Sequence, residues 1–326
     1  MEIEKYNYYL PKELIAQRPI EPRDSSRLMV LGDTIEHRYF YEIKNYIQKG
    51  DILVFNNSKV IKARLFGKKS TGGKVELLLL SPFESKFLVK GKNVREGTEI
   101  FVGDYVGKVL EKEEGVAKIS FNIPVMELVE KYGNIPLPPY IKEKLENVER
   151  YQTVYANIDG SIAAPTAGLH FTEKLLNELK EKGVKFAYVT LHISYATFKE
   201  IGEKEIKNNR LHTEYYSIPQ ETADMLNNAD GRIFAVGTTV IRALESSTVN
   251  GKLIPNFSET DLFIKPPYEF KFKTDGLITN FHIPRSSLLM LVSAYGGYER
   301  IMKAYKIAVE KGYRFYSFGD AMFILK

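Results

Sequence analysis

Hydrophobic and polar positions divide the chain into stretches of different rhythm. Over residues 51–65 the run DILVFNNSKVIKARL sets strand-like apolar segments on either side of a polar turn, Asn56-Asn57-Ser58-Lys59. Over residues 66–122 the apolar runs become short and β-branched or aromatic, at 75–80, 86–89, 99–101, 106–110 and 116–121. Gly72, Gly73, Gly91, Gly97, Gly103, Gly107 and Gly115 punctuate them. Short strands at close spacing with glycine turns predict a small antiparallel barrel or sandwich. Ile135-Pro136-Leu137-Pro138-Pro139-Tyr140 then forces an extended segment, because each proline disfavours helix in the residue before it.

From Tyr151 onward the rhythm alternates between helix and strand. Thr172 caps a helix whose Leu175, Leu176 and Leu179 share one face, with Gly183 as its stop. Buried strands are expected at 184–193, 232–236 and 277–282, and a last one at 313–318. Helices are expected at 240–248, at 288–295 behind Pro284 and Ser286-Ser287, and at 299–310. This alternation predicts an α/β fold with a largely parallel sheet flanked by helices. The barrel-like stretch interrupts it. The expected division is a discontinuous α/β catalytic domain, 1–65 and 150–326, with 66–149 inserted as a barrel-like domain and return segment.

Composition narrows the class. The chain has 326 residues, 44% of them hydrophobic, enough for a substantial core. No apolar run approaches the roughly 18–20 residues that span a bilayer, and no apolar signal region opens the chain, so a soluble cytoplasmic protein is expected. There is no cysteine, which excludes disulfides, thiol nucleophiles and thiolate metal sites. His37, His170, His192, His212 and His282 show no metal-ligand spacing, so no metal is expected. A net charge of +5 permits a polyanionic partner without demanding one.

Three expected strand-to-helix junctions concentrate polar residues, where open α/β sheets place ligands. In AAPTAGLHFT (163–172), small residues let a backbone approach a ligand and His170 precedes a helix; a capped loop with a surface histidine fits the same pattern. In VGTTVIRALES (236–246), a glycine and two threonines open a helix on which Arg242 and Glu245 lie one turn apart, as a ligand clamp or an ordinary ion pair. In NFHIPRSS (280–287), His282 ends a strand and Arg285 and Ser286 open a helix, as an anion site or a plain serine cap. His192 ends another strand, a place where a histidine is more often a satisfied core residue. GKKSTGGK (67–74) has the wrong spacing for a phosphate loop and reads as a hairpin turn. The G-x-G-x-x-G and G-x-S-x-G fingerprints are absent.

The order of these stretches resembles one family throughout, the S-adenosylmethionine:tRNA ribosyltransferase-isomerases of queuosine biosynthesis. The resemblance is carried by LIAQRPIEPRDSSRLMVL (14–31), DILVFNNSKVIKARLFG (51–67), TGGKVELLLL (71–80), ERYQTVYA (149–156) and GSIAAPTAGLHFT (160–172). It continues through AVGTTVIRALES (235–246), TDLFIKPPYEFK (260–271), ITNFHIPRSSLLMLVSAYGG (278–297) and YRFYSFGDAMFI (313–324). Ser194, Ala196 and Pro267 stand where the family usually has glycine.

The resemblance implies that S-adenosylmethionine is consumed as a ribosyl donor. The acceptor would be 7-aminomethyl-7-deazaguanine at the wobble position of tRNA, and the products epoxyqueuosine, adenine and methionine. No resident cofactor is implied, and a monomer is expected. The chemistry needs a general base, a general acid and a pocket that excludes water. His170 and His282 lead as acid–base candidates, followed by His192. Thr166, Gly168, Thr238, Thr239, Arg242, Glu245 and Ser286 are the expected substrate-binding residues, and Arg23, Arg27, Lys59, Arg64 and Arg285 the expected tRNA contacts. Two rival classes are a non-catalytic tRNA-binding module and an S-adenosylmethionine-dependent methyltransferase; the products formed separate them.

Overall fold

A computed structural model describes residues 3–81, 84–195 and 201–326 of the protein. Strands β1 (Arg27–Leu31) and β2 (Ile35–Tyr39) form a hairpin, and β3 (Ile52–Asn56) and β4 (Ser58–Val60) follow. Next come β5 (Arg64–Lys69), β6 (Lys74–Ser81), β7 (Glu84–Lys90), β8 (Glu99–Val102), β9 (Tyr105–Glu113) and β10 (Val116–Phe121). These close into an antiparallel barrel in the order β10-β7-β6-β5-β8-β9. Leu65, Leu77, Leu79, Phe87, Ile100, Val109 and Ile119 fill it, and Leu128 and Val129 of helix α1 (Val125–Tyr132) pack against them. The turn of the β5–β6 hairpin holds the glycine–lysine run that resembles a phosphate loop.

The chain then runs through β11 (Ile158–Ser161), α2 (Glu173–Glu181), β12 (Lys185–Leu191), α3 (Glu203–Asn208), β13 (Arg210–Ile218) and α4 (Gln220–Asn227). After these come β14 (Ile233–Val236), α5 (Thr238–Ser247), the short β15 (Thr248–Val249) and β16 (Lys252–Leu253), and β17 (Asn256–Leu262). The last elements are β18 (Gly276–Asn280), α6 (Ser287–Gly296), α7 (Tyr298–Glu310) and β19 (Ala321–Leu325).

Nine strands form one mixed sheet, β17-β13-β12-β3-β14-β18-β19-β1-β2. Its centre, β12-β3-β14-β18, is parallel, as is β19-β1; the remaining pairs are antiparallel. The expected α/β sheet with an antiparallel barrel is therefore what the chain builds. Period-two alternation sorts the central side chains onto two faces. Met29, Ile52, Val54, Ala235, Leu277 and Met322 meet α4 to α7 on one face. Leu28, Leu53, Phe55, Phe234, Ile278 and Phe323 meet Leu175 and Leu179 of α2 on the other.

The caps follow the sequence. Thr172 Oγ1 accepts from the Leu175 amide at 3.1 Å, and Ser286 Oγ accepts from the Leu289 amide at 3.2 Å. One expected strand is not there. Residues 313–318 are not a strand, and the last strand is β19. Tyr316 turns the backbone at φ 73° and is held by its amide bond to the Phe281 carbonyl. Tyr313 and Phe315 are buried as loop residues, which gives the segment the apolar signature of a strand.

Candidate active site

The carboxyl ends of β3, β12, β14 and β18 share one edge of the sheet, and pairing places the amino ends of β19 and β1 there too. A cleft lies along this edge. Small residues, Ala163, Ala164, Pro165 and Ala167, form one wall, and Ile193, Phe281 and Leu288 add apolar surface. Thr166, Thr238, Thr239, Thr279, Asn280 and His282 supply the polar groups. Gly237, at φ 101°, makes the turn from β14 into α5, a conformation that favours glycine. That turn presents the first amides of α5, which have no intrahelical partner, to the cleft.

Of the acid–base candidates, His282 lines this cleft. Its Nε2 is 2.9 Å from Thr279 Oγ1, and its amide donates to the Tyr305 hydroxyl at 2.9 Å. Burial pushes the imidazole down to about 3, so the ring is neutral at physiological pH.

His170 sits elsewhere. It is 3% exposed and stacks on Phe40 at 4.9 Å, and it borders a smaller cavity. Its Nδ1 lies 2.7 Å from Ser26 Oγ and its Nε2 3.1 Å from Asn280 Nδ2. Burial, then repulsion from Arg314 and Arg23, lowers it to about 3. His192 is 2.7 Å from Ser58 Oγ, and burial lowers its pKa too.

The expected substrate residues divide in the same way. Thr166, Thr238 and Thr239 line the cleft. Asn56 Nδ2 donates to Thr239 Oγ1 at 3.2 Å and orients it. Gly168 packs on Tyr155 instead; a Cβ there would stand 1.8 Å from the tyrosine hydroxyl. Ser286 is the cap of α6. Arg242 and Glu245 do not pair with each other. Arg242 is bonded to the buried Glu214 and, through Nε, to the Leu262 carbonyl at 3.2 Å, while its Nη2 has no partner. Glu245 accepts from the Tyr268 hydroxyl at 3.0 Å and from the Lys271 and Phe272 amides at 2.9 and 3.0 Å.

Two of the three glycine departures lie near these groups. The Ser194 amide donates to Glu214 at 2.7 Å, Pro267 belongs to the loop that Glu245 holds, and Ala196 lies outside the described residues.

The expected tRNA contacts are scattered. Arg23 Nη1 donates to the Gln152 carbonyl at 2.6 Å, and Arg27 lies 3.7 Å over the Tyr313 ring. Lys59 and Arg64 face Asp159 and Glu76 at 3.6 and 3.4 Å, and Arg285 faces Glu4 at 3.4 Å.

Sequence reasoning singled out neither Asn280 nor Glu214. Asn280 ends β18 in the cleft wall, 2% exposed, and its Oδ1 has no partner. Its place one step before the Phe-His pair was the available signal. Glu214 carries none, because it meets Arg242 only through the fold. Among the described residues no cluster of side chains is arranged to hold a metal, and no helix is long and apolar enough to cross a membrane.

A cleft of hydroxyls and small residues at the edge of a mixed sheet, beside a closed barrel, is the build of an α/β enzyme. The model of the family described as Queuosine biosynthesis protein matches residues 3–324. A relative from Aquifex aeolicus, named S-adenosylmethionine:tRNA ribosyltransferase-isomerase, is 49% identical over 100% of both chains. A relative of the same name from Thermotoga maritima is 48% identical over 100% of both chains. The crystal structure of S-adenosylmethionine tRNA ribosyltransferase from Thermotoga maritima superposes with a TM-score of 0.58 at 39% identity, over 98% of this chain and 100% of that one. The chain belongs to the S-adenosylmethionine:tRNA ribosyltransferase-isomerase family of queuosine biosynthesis.

Proposed function

We propose that the protein transfers and isomerises the ribosyl moiety of S-adenosylmethionine onto 7-aminomethyl-7-deazaguanine at the wobble position of tRNA. The products are epoxyqueuosine in tRNA, adenine and methionine. S-adenosylmethionine is a consumed substrate, no resident cofactor takes part, and the monomer is the working unit. Residues 1–65 and 150–326 act as the catalytic body, with 66–149 inserted.

The observation that carries this reading is the cleft itself, with His282, Asn280 and the start of α5 around small and apolar walls. The apolar surface of Ile193, Phe281 and Leu288 suits a purine. Thr238, Thr239 and the first amides of α5 suit ribose hydroxyls or a carboxylate. The unpartnered Asn280 Oδ1 suits an N–H or O–H donor of the donor substrate.

The sulfonium acidifies the protons on the adjacent 5′-carbon, and neutral His282 takes one. The burial that disfavours the imidazolium weakens His282 as the base for this step and strengthens it as the acid that hands the proton on. Adenine takes that proton as its bond to the ribosyl carbon breaks. The neutral aminomethyl nitrogen then forms the new carbon–nitrogen bond and releases one N–H proton to solvent, the electron pair freed on the 5′-carbon enters the new ring bond, and the carbon–sulfur pair leaves on methionine as a ribosyl oxygen closes the epoxide. Water is kept from the intermediates by the narrow walls.

The test uses S-adenosylmethionine carrying ¹³C throughout its ribose, incubated with tRNA bearing the aminomethyl base. The tRNA is then digested and its nucleosides weighed. All five ribose carbons appear in the modified nucleoside. Ribose label that stays in the small-molecule fraction, or a methyl group gained by the tRNA, overturns the proposal.

A further inference from the structure

A second, smaller cavity lies beside the cleft, and Ser317 lines both. Arg23, Arg150, Ser26 and His170 are among its walls. Its charge is mainly positive. Arg23 directs its guanidinium to backbone carbonyls, Gln152 at 2.6 Å and Glu149 at 3.4 Å, rather than to a carboxylate. Arg314, close enough to His170 to repel its charged form, donates its guanidinium to the Arg18 carbonyl at 2.8 Å and lies within reach of the Asp320 carboxylate, which offsets part of its charge. Arg150 pairs with Glu21 and donates to the Ile20 carbonyl at 2.8 Å. The Glu21 side chain is 67% exposed and that of Arg150 only 13%, so solvent weakens the carboxylate's hold more than the cavity's.

The hydroxyl of Ser26 adds a donor. Asn280 Nδ2 is 3.1 Å from the Tyr316 carbonyl, which can only accept, so the amide orientation is fixed. The same nitrogen therefore donates to His170 Nε2, and the neutral ring carries its proton on Nδ1. That proton goes to Ser26 Oγ at 2.7 Å. Ser26, 1% exposed, is left with its own hydroxyl proton and no acceptor for it among the described residues. A buried O–H and two guanidiniums around one small cavity match an oxyanion.

We infer that this cavity is an oxyanion subsite, held by Arg23, Arg150 and the Ser26 hydroxyl, that takes a phosphodiester of the RNA substrate. S-adenosylmethionine has no phosphate, and its carboxylate is the one rival source of an oxyanion. The phosphodiester fits better because Ser317 sets the subsite directly beside the cleft that takes the reacting base. The chain Ser26–His170–Asn280 then links a bound phosphate to the cleft wall. His170 acts here as a positioning residue, with both ring nitrogens engaged. Burial and then Arg150 lower the Arg23 pKa to about 10, a repulsion that a bound anion relieves. The choice of RNA as source rests on the ribosyl-transfer reading; the oxyanion subsite itself does not.

Two experiments test it. Inorganic phosphate is titrated into the protein alone with its histidine rings ¹⁵N-labelled, in the wild type, Arg150→Ala and Arg150→Lys. The His170 ring signal shifts saturably in the wild type, and the midpoint rises about tenfold in Arg150→Ala. No saturable shift in the wild type overturns the subsite, whether or not the variants fold. Steady-state adenine release then names the source. Arg150→Ala, or Arg150→Lys if the alanine variant does not fold, raises KM for tRNA about tenfold and leaves KM for S-adenosylmethionine within about twofold. The reverse pattern gives the oxyanion to the amino-acid carboxylate and overturns the RNA assignment. A wild type that binds phosphate but releases no adenine overturns the ribosyl-transfer reading and leaves the oxyanion subsite standing.

Discussion

His282 and His170 have the same direction of shift and opposite places. Both are pushed to about 3 by burial, yet only His282 borders the cleft. His282→Gln therefore lowers kcat for adenine release about 100-fold or more, the usual worth of a positioned acid–base group. Circular dichroism and the thermal midpoint check that the variant folds, and near-wild-type kcat removes His282 from the chemistry. The sequence marked His170 by its place before a helix and His282 by its place at a strand end. It could not separate them, because the partners that engage His170 lie 144 and 110 residues away. Gly168 shows the same limit. Its small size looked like room for a ligand, but the room belongs to Tyr155. Gly168→Ala forces the tyrosine aside and destabilises the protein by about 1–3 kcal/mol, measured by urea unfolding. An unchanged midpoint means that the Tyr155 contact gives way without cost.

Among the elements, α5 divides its work. Its first turn faces the cleft through Thr238 and Thr239, while Glu245 in its later turns holds the loop at 268–272. Glu245→Ala leaves buried donors without an acceptor and costs about 3 kcal/mol. The expected result is a lower thermal midpoint with the KM for S-adenosylmethionine changed less than twofold; a large rise in that KM at unchanged stability would place Glu245 on the substrate. Helices with caps were legible because Thr172 and Ser286 carry local signals that the fold only confirms. Barrel strands were legible through their glycine turns. Less legible were the edge strand β17 and its neighbour β13, whose half-exposed, polar sequences lack a clean alternation. The aromatic loop at 313–318 erred the other way, since its apolar residues are buried by tertiary contacts without being paired in the sheet.

At the scale of the whole molecule, buried neutral histidines tie stability to pH. The folded values of His170 and His282 are about 3, against roughly 6.5 for an unfolded histidine. Between those limits the unfolded chain binds more protons, so stability is full above about pH 6.5 and falls as the pH drops toward 3. Each ring contributes a slope of roughly 1.4 kcal/mol per pH unit in that window. Urea midpoints at pH 7 and pH 5 check this, and His170→Asn flattens the dependence; equal midpoints contradict it. The overall architecture was readable because one α/β rhythm is interrupted once by a β-rich stretch. The closure of the cleft was not, because its walls come from residues 140, 163–167, 193, 237–239 and 279–283, which meet only at the sheet edge.

In the proposed reaction S-adenosylmethionine is spent as a ribosyl donor to tRNA. The most direct measurement incubates the protein with S-adenosylmethionine and tRNA carrying 7-aminomethyl-7-deazaguanine, then identifies the small-molecule products by mass spectrometry. Adenine and methionine in equal amounts, matched by a gain of mass on the tRNA, are predicted. S-adenosylhomocysteine, or no small-molecule product with tRNA still bound, would contradict the account.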